Sequence, residues 1–84
     1  MAKIKRKRYR SRNEIIAAIL QVAFEGSLRT NIMYQAFLSF NQLSKEYLPL
    51  LLENGLLEYD TKDQKYRTTR KGKEFLDVYD QLKL

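Results

Sequence analysis

Residues 38–55 read LSFNQLSKEYLPLLLENG, and the rest of the chain can be placed around them. Ser39 and Gln42 have the spacing of a capping box, in which the hydroxyl and the amide each satisfy a backbone N–H of the first turn. A helix is therefore expected to begin at Phe40, and Gly55 supplies a left-handed stop. Phe40, Leu43, Tyr47, Leu50 and Leu51 recur at three- and four-residue steps and predict one buried stripe. Asn41, Gln42, Ser44 and Lys45 then fall on other faces near the helix start. They are small or polar, with donors and acceptors suited to base edges and phosphates. Pro49 is the irregular member. It lacks an N–H and crowds the carbonyl of Lys45, which costs about 3 kcal/mol in a regular helix. Leu50, Leu51, Leu52 and Gly55 argue that the helix continues, so a kink or bulged turn is expected between Ser44 and Pro49.

Upstream, Ser11 and Glu14 form a second capping box and open a helix at about Arg12. Ile15, Ile16, Ile19, Leu20, Ala23 and Phe24 give it an apolar face, widened by Ala18 and Val22, and Gly26 ends it. After a short connection, Thr30 is expected to cap a helix over 31–37, with Ile32, Met33, Ala36 and Phe37 inward. So short a helix persists only by packing. Its open N–H groups, with Arg29, Thr30 and Asn31 around them, are a candidate phosphate seat.

Downstream, residues 56–59 and 66–69 are β-prone and the polar run 60–65 joins them, which predicts a hairpin. Tyr59 and Tyr66 should share a face. Lys62, Gln64, Lys65 and Arg67 make it a basic ribbon suited to a nucleic-acid backbone. Thr69 should cap a last helix, Arg70–Leu82, with Phe75, Leu76, Tyr79 and Leu82 as its stripe. Gly72 in its first turn is poor for helix propensity and suggests close approach of another element.

The net charge of +6 is unevenly spread. Residues 1–12 hold seven Lys/Arg and no acid, or +7; residues 13–84 hold nine Lys/Arg against ten Asp/Glu, or −1. Residues 1–10 are too charged to bury a core and are expected to be a disordered arm. Lys3, Lys5, Arg6, Lys7, Arg8 and Arg10 would bind phosphates. Residues 62–73 form a second patch, six basic residues against Asp63, a local +5.

The 84 residues suit one domain, 11–84, after the arm. Without cysteine or histidine the chain has no disulfide, zinc finger or histidine catalysis, and a reducing cytoplasm is expected. The longest apolar run, residues 15–20, falls far short of the roughly 20 residues of a membrane span, and MAKIKRKRYRSR has no apolar core behind its charge, so it is not expected to be a secretory signal. No nucleophile–base set, phosphate-cradling glycine loop or metal-ligand cluster appears, so neither an enzyme nor a cofactor is expected.

The expected class is α+β, mainly α: three helices, a two-stranded wing and a C-terminal helix. A polar-edged helix after a short one, with a basic hairpin beside it, is the arrangement of a winged helix-turn-helix. The expected function is binding of double-stranded DNA, as a transcriptional regulator or nucleoid-associated protein. The competing expectation is a protein-interaction module using Tyr34, Tyr47 or the last helix.

The segments SRNEIIAAIL, TNIMYQAFLSF, YLPLLLENGLLEYD and YRTTRKGKEFL resemble, in order, those of the small archaeal winged helix-turn-helix family. That family includes transcription-regulator-like proteins and a crenarchaeal chromosomal DNA-binding protein. The resemblance covers about residues 11–79. It implies duplex DNA as partner, with Asn41, Gln42, Ser44 and Lys45 at the major groove and Lys62, Lys65 and Arg67 in the wing. It also implies a homodimer through the C-terminal helix (Phe75, Leu76, Tyr79, Leu82). Between Phe40 and Tyr47 this chain is one residue longer than the family pattern, which fits a bulged helix. Its last helix is only about four turns long, short for a coiled coil.

Overall fold

The computed structural model describes residues 10–82. Both halves of the first capping box are made: Glu14 N donates to Ser11 Oγ (3.1 Å) and Ser11 N to Glu14 Oε1 (2.8 Å). They open α1, Arg12–Val22. Ile16, Ile19 and Leu20 of this helix form the floor of the core.

Helix α2, Arg29–Gln35, starts earlier than expected, with Leu28 as its N-cap and no side-chain capping bond. Thr30 lies inside the helix. The reason is Ser27, which exchanges two 2.9 Å backbone hydrogen bonds with Tyr66 and so fixes the chain in extended form just before the helix. At the other end Leu38 N donates to Met33 O (3.0 Å) and Phe37 N to Tyr34 O (3.3 Å), the two bonds of a Schellman stop. Phe37 holds the left-handed position (φ +55°) where glycine is usual, and its ring is 82% exposed rather than buried.

The second capping box is also made: Gln42 N donates to Ser39 Oγ (3.1 Å) and Ser39 N to Gln42 Oε1 (3.0 Å). The third helical segment, residues 40–53, contains the expected bulge. Gln42–Tyr47 is a π-helical turn, in which Leu48 N reaches back to Leu43 O, and it runs into α3, Leu48–Glu53. Pro49 thus falls in the first turn of α3, where a missing N–H costs least. The turn also changes the phase of the buried stripe. Leu43, Tyr47, Leu48 and Leu51 are buried, Leu50 is half-buried, and Phe40, expected inside, is 52% exposed.

Strands β1, Leu57–Asp60, and β2, Lys65–Thr68, pair antiparallel. Tyr59 stands opposite Tyr66, as expected, with ring centroids 4.8 Å apart. Thr69 caps α4, Arg70–Leu82: its hydroxyl accepts from Gly72 N (3.0 Å) and donates to Gly55 O (2.7 Å). Gly72 packs against the carbonyl of Leu56, and a Cβ there would lie 2.6 Å from Thr68 Cγ2. Leu76 is buried and Phe75 and Tyr79 pack on the core, but Leu82 is 79% exposed. The described residues are α+β and mainly helical: four α-helices, the π-turn before α3 and one two-stranded sheet.

Candidate nucleic-acid interface

Asn41, Gln42 and Lys45 are exposed at the start of the third helical segment. Gln42 spends its Oε1 on the capping box, which fixes the side chain and leaves its amide N–H groups as the donors it can offer. Ser44 differs from expectation. It is half-buried, and its hydroxyl oxygen is shut in without a hydrogen-bond partner, so it presents nothing to a groove. The π-turn is the cause, because it draws Leu43 fully into the core and carries Ser44 partly in beside it.

At the start of α2 the three candidates separate. Arg29 lies over the Phe40 ring, with Cζ 5.1 Å from the centroid. This contact fastens α2 to the front of the third segment and makes Phe40 useful outside the core. Thr30 is exposed beside it. Asn31 has an internal duty: its amide nitrogen donates to Ser27 Oγ (2.7 Å) and its oxygen accepts from Gln35 Nε2 (3.0 Å).

On the wing, Lys62 and Gln64 are exposed at the tip and Lys65 is half-buried. Asp60 shapes the tip. Its Oδ1 accepts from the backbone N–H groups of Lys62 (2.9 Å) and Asp63 (3.3 Å). Those two bonds, with the nearby Arg67 guanidinium as a smaller cause, hold the Asp60 carboxyl below the usual carboxylate range. Arg67 is not a free wing cation. It pairs with Asp60 at 3.6 Å and lies along Gly26, where a Cβ would meet Nη2 at 3.1 Å. The local +5 patch is likewise dispersed. Lys71 Nζ donates to Asn54 O (3.0 Å), and Lys73 Nζ sits 4.5 Å from the Phe24 ring centroid.

A groove of about 260 Å³ joins α2 to the wing, lined by Leu28, Arg29, Thr30, Tyr59, Gln64 and Tyr66. Together with the Arg29–Phe40 contact it links Phe40 of the third helical segment, the start of α2, and Tyr59 and Gln64 of the wing along one face. The roles of Phe40 and Tyr59 on this face were not legible in the sequence. Both have the hydrophobicity of core residues, and only the tertiary contacts set them outside.

Of the arm, Arg10 donates to Phe37 O (3.1 Å), so the chain enters the domain beside the turn between the second and third helical segments. Lys3, Lys5, Arg6, Lys7 and Arg8 lie outside the described residues. Tyr47, a candidate contact for a protein partner, is 5% exposed and packs in the core, whereas Tyr34 is 73% exposed. Among the described residues no helix is long and apolar enough to cross a membrane, and no group of three acidic, histidine or cysteine side chains could hold a metal ion.

The order of elements, the polar-edged third segment and the hairpin beside it define a winged helix-turn-helix domain. Residues 9–84 match the model of the winged helix-turn-helix family, and the chain belongs to that family. No curated protein matches the sequence.

Proposed function

We propose that this chain binds double-stranded DNA through the face that carries Asn41, Gln42, Lys45, Arg29, Thr30, Lys62, Gln64 and Lys65. The third helical segment would lie in the major groove and offer base-edge contacts. Arg29, Thr30, the wing and the basic residues of 1–10 would hold phosphates. The observation that carries this reading is the Arg29–Phe40 contact, which ties the third helical segment to the start of α2 beside a groove that reaches Gln64 of the wing. The role is that of a transcriptional regulator or nucleoid-associated protein, acting where cellular DNA is, and the sequence resemblance points to the archaeal branch of the class.

A homodimer through α4 belongs to the same resemblance. Most of the stripe it would use is engaged in the chain's own core, leaving Val78 (55% exposed) and Leu82 (79%) outward. Two such side chains are far less than the roughly 1,000 Å² that a stable interface buries. We therefore assign α4 a weak contact between copies already held on one duplex.

The test is affinity for duplex DNA against salt. Neutralising about six phosphates gives a slope of log K on log salt of roughly −5. A slope near zero rejects DNA binding.

A further inference from the structure

We propose that the π-turn Gln42–Tyr47, held in place by Pro49, selects which side chains of the third helical segment face the duplex. Pro49 is then a positioning residue for sequence preference, although it stands outside the polar edge itself. The inference deepens the DNA-binding reading and rests on it.

The phase of the apolar residues carries it. Tyr47, Leu48 and Leu51 are all buried. Counting back three from Tyr47, four from Leu48 or seven from Leu51 lands each time on residue 44, the spacing of one face of a regular helix. A regular helix seated on those residues would place Ser44 in the core line and move Leu43 to its edge. The structure does the reverse. Leu43 is fully buried, and Ser44 is half-buried with its hydroxyl unpartnered. One extra residue in the turn makes the difference, and one residue is about 100° of helix rotation. Asn41, just N-terminal to the turn, and Gln42, its first residue, are therefore aimed by it.

Pro49 closes the alternative. In a regular helix its ring would strike the Lys45 carbonyl and its missing N–H would leave that carbonyl unserved. With the π-turn before it, Pro49 opens a fresh α-helical stretch instead. The stray Ser44 hydroxyl is what the arrangement costs.

The test compares wild type with Pro49→Ala and with Ser44→Leu/Pro49→Ala. The double variant offers a regular helix both a donor at 49 and an apolar side chain at 44. Thermal unfolding checks that each folds, and NMR connectivities read whether the helix is regular. Selection from a random duplex pool reads sequence preference, and one fixed unselected duplex reads general affinity. The double variant should become regular and lose about tenfold or more of the preference for the wild-type site. It should bind the unselected duplex within about threefold of wild type, since arm and wing are unchanged. Should it not fold, Pro49→Ala alone carries the comparison, with the same shift in preference expected. A regular helix that keeps the wild-type preference overturns the inference, as does a π-turn that persists in the double variant. A wild type that binds every duplex equally overturns it too and leaves duplex binding standing. A wild type that binds no duplex removes the DNA reading itself, while NMR of the variants still reports whether Pro49 locks the turn.

Discussion

Phe37 and Gly55 occupy the same place in two helix stops of the same kind. At α2 the left-handed residue is Phe37 (φ +55°); at α3 it is Gly55 (φ +72°), with Gly55 N on Leu52 O and Leu56 N on Leu51 O. A Cβ in this conformation costs about 1–2 kcal/mol, and the exposed Phe37 ring recovers little of it by burial. Phe37→Gly should therefore raise stability by about 1 kcal/mol in urea unfolding. A loss of stability would mean that the ring is anchored by contacts in the folded chain. Gly72 behaves in the opposite sense. Alanine normally favours a helix interior by about 1 kcal/mol, but here its Cβ would press on the Leu56 carbonyl and Thr68 Cγ2. Thr68 cannot easily yield, because its hydroxyl is committed to Leu20 O at 2.7 Å. Gly72→Ala should destabilise by about 1–3 kcal/mol, and a rise in the urea midpoint would show that α4 can shift away from the hairpin.

Among elements, the wing depends on one carboxylate. Asp60 folds the turn by accepting the Lys62 and Asp63 N–H groups, and both bonds favour its charged form. Its folded pKa lies below its unfolded value of about 3.9. Its contribution is therefore complete above that value and is lost as pH falls through the folded pKa. Asp60→Asn should be less stable than wild type at neutral pH, with the gap closing as pH falls below about 4. An unchanged gap down to the acid limit would show that the carboxylate's charge contributes nothing.

The same elements mark how far the sequence could be read. Both capping boxes, the Thr69 cap and the bulge near Pro49 were legible, since each is governed by neighbours a few residues away; the Tyr59–Tyr66 pair followed from hairpin register, and the close approach at Gly72 from a glycine where a helix gains nothing by one. Helix α2 began early because Ser27 pairs with Tyr66, a contact between distant parts of the chain. Phe40 and Ser44 exchanged roles because the bulge set a phase that its mere existence does not give. Arg67 left the candidate site because Asp60, seven residues back in the sequence, becomes its neighbour across the hairpin.

At the scale of the molecule, charge alone points weakly to a site. Residues 13–84 sum to −1, and several cations of the wing and α4 are held by their own fold. What remains is a matter of placement: a few exposed donors on one connected face, with a strongly basic segment joining the domain at Arg10 beside the turn that leads into it. The most direct measurement is NMR of the labelled chain titrated with a short duplex, read amide by amide. On a duplex that holds a single copy, perturbations should cluster at Arg29, Thr30, residues 40–45, Lys62 and Gln64, with the outer positions Asp77 and Val78 of α4 unchanged. Perturbations confined to α4, with the 40–45 segment silent, would contradict the account.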